Sequence, residues 1–120
     1  METTQKTLFR ELTDAIKYMI ESCRGRYSLD SYLSVVEKYT DQIILNSVQN
    51  DNLTFSGGLC EVGLDVNPEK YLFDIKLYFK TEDGANIVKE ASRSLPKNKF
   101  TSETQEILSE KKIFEISSPN

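Results

Sequence analysis

The sequence predicts an α+β domain in which two N-terminal helices pack on an antiparallel β-sheet of three to five strands, followed by a short C-terminal helix and a last strand. Three observations carry this. Apolar residues recur at helical intervals over the first 48 positions. Between residues 53 and 95 the pattern changes to the two-residue alternation of half-buried strands. Helices and strands are segregated along the chain, without the βαβ alternation of a parallel sheet.

Leu8, Phe9, Leu12, Ala15, Ile16, Met19, Ile20 and Cys23 form one stripe, with Arg10, Glu11, Asp14, Lys17 and Glu21 opposite. A first helix is expected over residues 5–23, stopped by Gly25. Ser28 is placed to cap a second helix, since its hydroxyl can accept a free first-turn N–H. Leu29, Tyr32, Leu33, Val36, Thr40, Ile43, Ile44 and Ser47 then trace a face that supports a helix over 29–48. A competing reading breaks this helix at Thr40 and makes 42–48 a strand, because Ile43-Ile44-Leu45 also suits a buried strand.

Gly57-Gly58 reads as a bulge or sharp bend. Beyond it Cys60, Val62, Leu64 and Val66 alternate with Glu61, Gly63 and Asp65, and Asn67-Pro68-Glu69 turns the chain. Tyr71, Phe73, Ile75, Leu77 and Phe79 share one face of the next strand and Asp74, Lys76, Tyr78 and Lys80 the other, so 59–80 should form an antiparallel hairpin. After Glu82-Asp83-Gly84 the segment 87–95 fits either a third strand, the preferred reading, or a helix ended by Pro96. Thr101 or Ser102 can cap a short helix over 103–111, and 112–116 reads as the last strand.

One core is expected for 120 residues that are 38% hydrophobic and 28% charged. Fifteen basic and nineteen acidic residues give a net charge of −4, which argues against nucleic-acid binding. Residues 51–92 hold eight carboxylates against four Lys, so the acidic excess falls on the sheet region. The N-terminus lacks the pattern of a secretory signal, and apolar runs are too short for a membrane span. The expected compartment is the cytoplasm.

With no histidine in the chain, Ser-His-Asp and Cys-His chemistry is excluded, and so are the common zinc patterns. Cys23 and Cys60 read as buried, reduced thiols. Glu61, Asp65 and Asp74 leave paired-carboxylate chemistry open, but a solvated acidic sheet face explains them better. Ser56-Gly57-Gly58 lacks the companions of a phosphate loop. No catalytic residue, metal or cofactor is assigned.

Two basic spots are candidate anion sites: Arg24-Gly25-Arg26 between the helices, and Arg93, Lys97 and Lys99 around Pro96. Glu61, Asp65, Asp74 and Tyr78 are the candidate partner-binding residues, Tyr78 because an outward tyrosine offers apolar area with a polar tip.

The expected function is that of a small acidic binding protein, not an enzyme, which neutralises a protein partner by occlusion, its acidity suiting a basic one. Immunity proteins against bacterial toxins and phage-encoded inhibitors of host defence have this general character, so a bacterial or phage source is expected. A first alternative is an oligomeric protein that sequesters a small anionic ligand or nucleotide through Arg93, Lys97 and Lys99, with Phe100 or Tyr78 stacking on a base. A further alternative is a secretion chaperone that holds an extended segment at a sheet edge or apolar groove.

Overall fold

The computed structural model describes residues 14–22 and 25–118. Residues 14–22 are helical (α1), and α2 spans Leu29–Asn50. Three long strands follow: β1 (Thr54–Leu64), β2 (Lys70–Lys80) and β3 (Asn86–Pro96). A 3-10 turn at Lys97–Lys99, α3 (Ser102–Ile107) and β4 (Lys112–Ile116) complete the chain. The four strands pair antiparallel, in the order β3-β2-β1-β4.

The expected α1 stripe is present where it is described: Ile16 and Ile20 are buried while Asp14 and Glu21 are exposed. Leu8, Phe9, Leu12 and Cys23 lie outside the described residues. Ser28 caps α2, its Oγ accepting the Ser31 N–H at 3.1 Å. The helix runs unbroken through Thr40 and ends at Asn50, which overturns the break and extends the expected end by two residues. Thr40 and Ser47 sit within the buried stripe because their hydroxyls donate to the carbonyls of Val36 and Ile43, at 2.7 and 2.8 Å. Each thus satisfies its polar group without leaving the helix.

β1 passes through the expected bulge, where the register slips between Phe55 and Gly57 and Gly57 adopts φ 135°. Gly58 is required for a different reason. A Cβ there would lie 2.9 Å from the Lys76 carbonyl oxygen and 2.8 Å from Leu77 Cδ2.

Residues 86–96 are strand, not helix, paired to β2 along their whole length. The expected helix over 103–111 is shorter: Leu108 turns into the core, Ser109 Oγ donates to the Glu106 carbonyl, and 108–111 form the turn into β4. Leu64 and Val66 were expected on the buried face of the hairpin. They are 61% and 100% exposed, because β1 ends at Leu64 and Val66 lies in the turn beyond the helical cover.

The core lies between the helices and one face of the sheet, with Tyr71, Phe73, Ile75, Leu77 and Phe79 of β2 at its centre. Phe73 stacks on Phe100 with ring centroids 5.6 Å apart and meets Tyr32 of α2 at 4.5 Å. Such aromatic pairs add about 0.5–1.5 kcal/mol each to their area burial. α3 is tied to α2 through Thr104, whose buried Oγ1 accepts the Leu29 N–H at 2.9 Å, one of the free donors of the first turn of α2. Among the described residues no helix is long and apolar enough to cross a membrane.

Candidate functional site

The two faces of the sheet differ. The inner face is covered by α1 and α2. The outer face has no described helix over it, and Leu72, Val88 and Ile113 on it are 39%, 50% and 59% exposed. Strand alternation and register place four residues of each central row side by side. One row reads Glu90–Lys76–Leu59–Glu115 across the four strands, and the next reads Ser92–Asp74–Glu61–Ile113. The two rows therefore hold four carboxylates and one lysine.

The electrostatics follow from that crowding. Lys76 has its pKa raised, chiefly by Asp74, whose carboxylate lies 3.8 Å from Nζ, and then by Glu90. Glu61 stands opposite Asp74 and takes Lys111 from the strand edge at 3.3 Å. Like charges facing each other across strands cost stability. The face tolerates the arrangement because water and these two lysines screen it.

Of the expected partner-binding residues, Glu61 and Asp74 share a row. Tyr78 lies on the same face beside Val88 and the Gly57 bulge, partly exposed. Asp65 is apart from them, at the end of β1. It accepts Ser94 Oγ at 2.7 Å and the Val66 N–H at 2.8 Å, so it holds the β1–β2 turn. Sequence reasoning missed Leu59, Glu90, Glu115 and Ile113. Strand alternation was enough to send each of them outward, but their shared rows depend on a register that only the paired strands set.

The expected anion-binding set is divided. Arg93 faces inward opposite Phe73, and its guanidinium bonds Asp14 of α1 at 3.1 Å. Lys97 lies instead beside Arg26, from the other basic spot, in a cleft that Lys99 does not line. Phe100 is fully buried and unable to stack on a base. Tyr78 is no better placed: Lys97 follows Pro96, which pairs with Lys70, and Lys70 is eight strand residues from Tyr78, roughly 26 Å.

Two buried constellations have catalytic residue types. Lys89 Nζ is hydrogen-bonded to Ser47 Oγ, the pairing a serine–lysine hydrolase would use. Burial lowers the Lys89 pKa, with Asp51 opposing, as a general base would require. Yet Ser47 is fully buried, already donates to Ile43, and lines none of the described clefts. A substrate has no path to it. The Cys60 thiol lies 3.9 Å from the Tyr32 hydroxyl, and burial pushes its pKa up to about 11, the opposite of an activated nucleophile. Cys60 is a free thiol, as expected, whereas Cys23 is outside the described residues.

A groove of about 570 Å³ runs between α2 and the free edge of β4, lined by Leu33, Val36, Phe114 and Ile116 with Glu37, Asp41 and Glu115. Asp41 has its pKa raised, first by burial and then by Glu37 one turn away.

Compared with protein-family models, curated proteins and solved structures, the chain matches none.

Proposed function

We propose that the protein is a binding protein, not an enzyme, and that it neutralises a protein partner by docking its open sheet face over a basic surface and occluding it. The observation that supports this most is the pair of central rows that places Glu61, Asp74, Glu90 and Glu115 on one face with a single lysine, Lys76. An acidic field of this kind accelerates encounter with a cationic partner and opposes wrong ones. Leu59, Leu72, Tyr78, Val88 and Ile113 add apolar area on the same face, so that a docked surface gains from burial as well as from charge. The acidic surplus of the whole chain points the same way.

The test is capture from the source cell with wild-type protein and with the double variant Glu61→Lys/Asp74→Lys, read by native mass spectrometry. Both residues lie on the outer face but are half-buried and paired with Lys111 and Lys76, so circular dichroism first checks that the variant keeps the fold. A partner of defined stoichiometry, retained by the wild type and lost from the variant, supports the reading. No stoichiometric partner, or equal retention by both proteins, ends it.

A further inference from the structure

Arg26 and Lys97, one residue from each basic spot and 71 positions apart in sequence, meet at one end of the fold, where the backbone joins their segments. Tyr27 and Phe100 form a parallel bridge, with the Tyr27 N–H donating to the Lys99 carbonyl at 2.6 Å and the Thr101 N–H to the Tyr27 carbonyl at 2.9 Å. This clamp brings the segment between α1 and α2 against the 3-10 turn after β3. Beside it opens a cleft of about 720 Å³ on which Arg26, Lys70 and Lys97 converge, together with Ser102 and Gln105.

Charge makes this cleft unlike the rest of the molecule. In a chain of net charge −4 its lining holds three cations against one carboxylate, Glu69. Arg26, Lys70 and Lys97 have no ion-pair partner among the described residues; Lys38, Lys80, Lys99 and Lys112 share that condition but do not line this cleft, where the three stand together. Two of the three are held in place by neutral contacts. Arg26 Nη1 donates to Ser102 Oγ at 3.4 Å, and Lys97 Nζ lies 5.3 Å from the Tyr71 ring centroid. The Lys97 N–H is fixed by the Glu69 carbonyl at 2.9 Å, so the turn that carries it is anchored to the start of β2. Like charges held together with too few carboxylates to balance them destabilise a fold unless an anion neutralises them.

We infer that this cleft binds a small, multiply charged phosphate compound, with Arg26, Lys70 and Lys97 holding a diphosphate-like group and Ser102 and Gln105 adding neutral hydrogen bonds. A guanidinium supplies paired donors to phosphate oxygens, and the two ammonium groups act as adjustable point charges. The cleft has room for a diphosphate and part of what it is attached to. A nucleic-acid strand is disfavoured, because a long polyanion would run from the cleft onto the acidic sheet face. The site borders one end of that face, through Lys70 and Pro96, but shares none of the four carboxylates of the central rows, so its test is independent of the partner-capture experiment.

Isothermal titration calorimetry with inorganic pyrophosphate, inorganic phosphate, a nucleoside triphosphate and a single-stranded oligonucleotide tests it. Saturable binding of one pyrophosphate per chain is expected, tighter than phosphate. It should weaken by about tenfold or more in Arg26→Gln/Lys97→Gln, since each lost contact is a charge-assisted hydrogen bond. Lys70→Gln alone should weaken it in the same direction, and Lys38→Gln, on α2, should leave it unchanged. Tighter binding of the triphosphate than of pyrophosphate would identify a nucleotide as the source of the phosphates, and equal binding a simple diphosphate. Absence of saturable binding up to millimolar pyrophosphate overturns the inference. So does binding that survives the double variant, or an oligonucleotide that outcompetes pyrophosphate.

Discussion

Lys89 Nζ, on the inner face of β3, lies 3.7 Å from the carboxylate of Asp51 at the end of α2, with only 2% of the lysine side chain exposed. The same ammonium bonds Ser47 Oγ and sits 5.1 Å from the Phe79 ring centroid. The last turn of α2 has no basic residue of its own, so Lys89 supplies a cation to the negative end of that helix from the sheet. Arg93, two positions further along the same face, reaches Asp14 of α1. One strand thus pins both helices.

The stability of Lys89 variants should therefore divide by shape rather than by charge. Lys89→Ala removes the cation and its methylene stem, and is expected to cost about 2–4 kcal/mol, as large-to-small core changes do. Lys89→Met keeps the stem and should stay within about 1.5 kcal/mol of wild type, because burying the ammonium already offsets much of its attraction to Asp51. Urea denaturation of both proteins checks this.

Thr104 Oγ1 accepts both the Leu29 N–H at 2.9 Å and the Thr101 hydroxyl at 2.8 Å, and so offers a test of the joint between α2 and α3. Thr104→Val keeps the shape but leaves the Leu29 N–H without its acceptor, and should cost about 1–3 kcal/mol. Thr104→Ser keeps the oxygen and should lose less. Thermal unfolding of the pair shows whether α3 caps α2 or merely touches it.

The Cys60 thiol gives stability a dependence on alkaline pH. Its folded pKa of about 11 stands above the ordinary 9.0, so below pH 9 both folded and unfolded chains hold the proton and the full stability is present. Between pH 9 and 11 the unfolded thiol ionises first, and about 2–3 kcal/mol is lost. Tyr32, raised by burial, acts in the same direction. Lys89 acts in the opposite direction, since its lowered pKa lets the unfolded chain bind the extra proton. The comparison of wild type with Cys60→Val isolates the thiol: the variant should lose less stability between pH 8.5 and 11. An identical slope would contradict the assignment.

The long strands and α2 were legible because their patterns are local. β2 alternates over its whole length, and the α2 stripe survives Thr40 and Ser47 because each hydroxyl bonds within its own helix. β3 was harder to read for a physical reason. Its inward positions are Ile87, Lys89, Ala91, Arg93 and Leu95, and two of those five are cations whose partners, Asp51 and Asp14, belong to distant helices. Alternation cannot be recognised where the core face is charged. The sites divided in the same way. Outward residues of single strands could be named from the sequence, but the rows around Lys76 and the meeting of Arg26 with Lys97 depend on register and on the Tyr27–Phe100 bridge, which local pattern does not encode.

Carboxyl-group footprinting of the partner complex bears most directly on the open sheet face as the working surface. Labelling at Glu61, Asp74, Glu90 and Glu115 should fall together when the partner binds, while Glu37 and Asp41 beside α2 keep their free-state labelling. Unchanged labelling across the sheet face, with protection confined to the α2–β4 groove, would contradict the account.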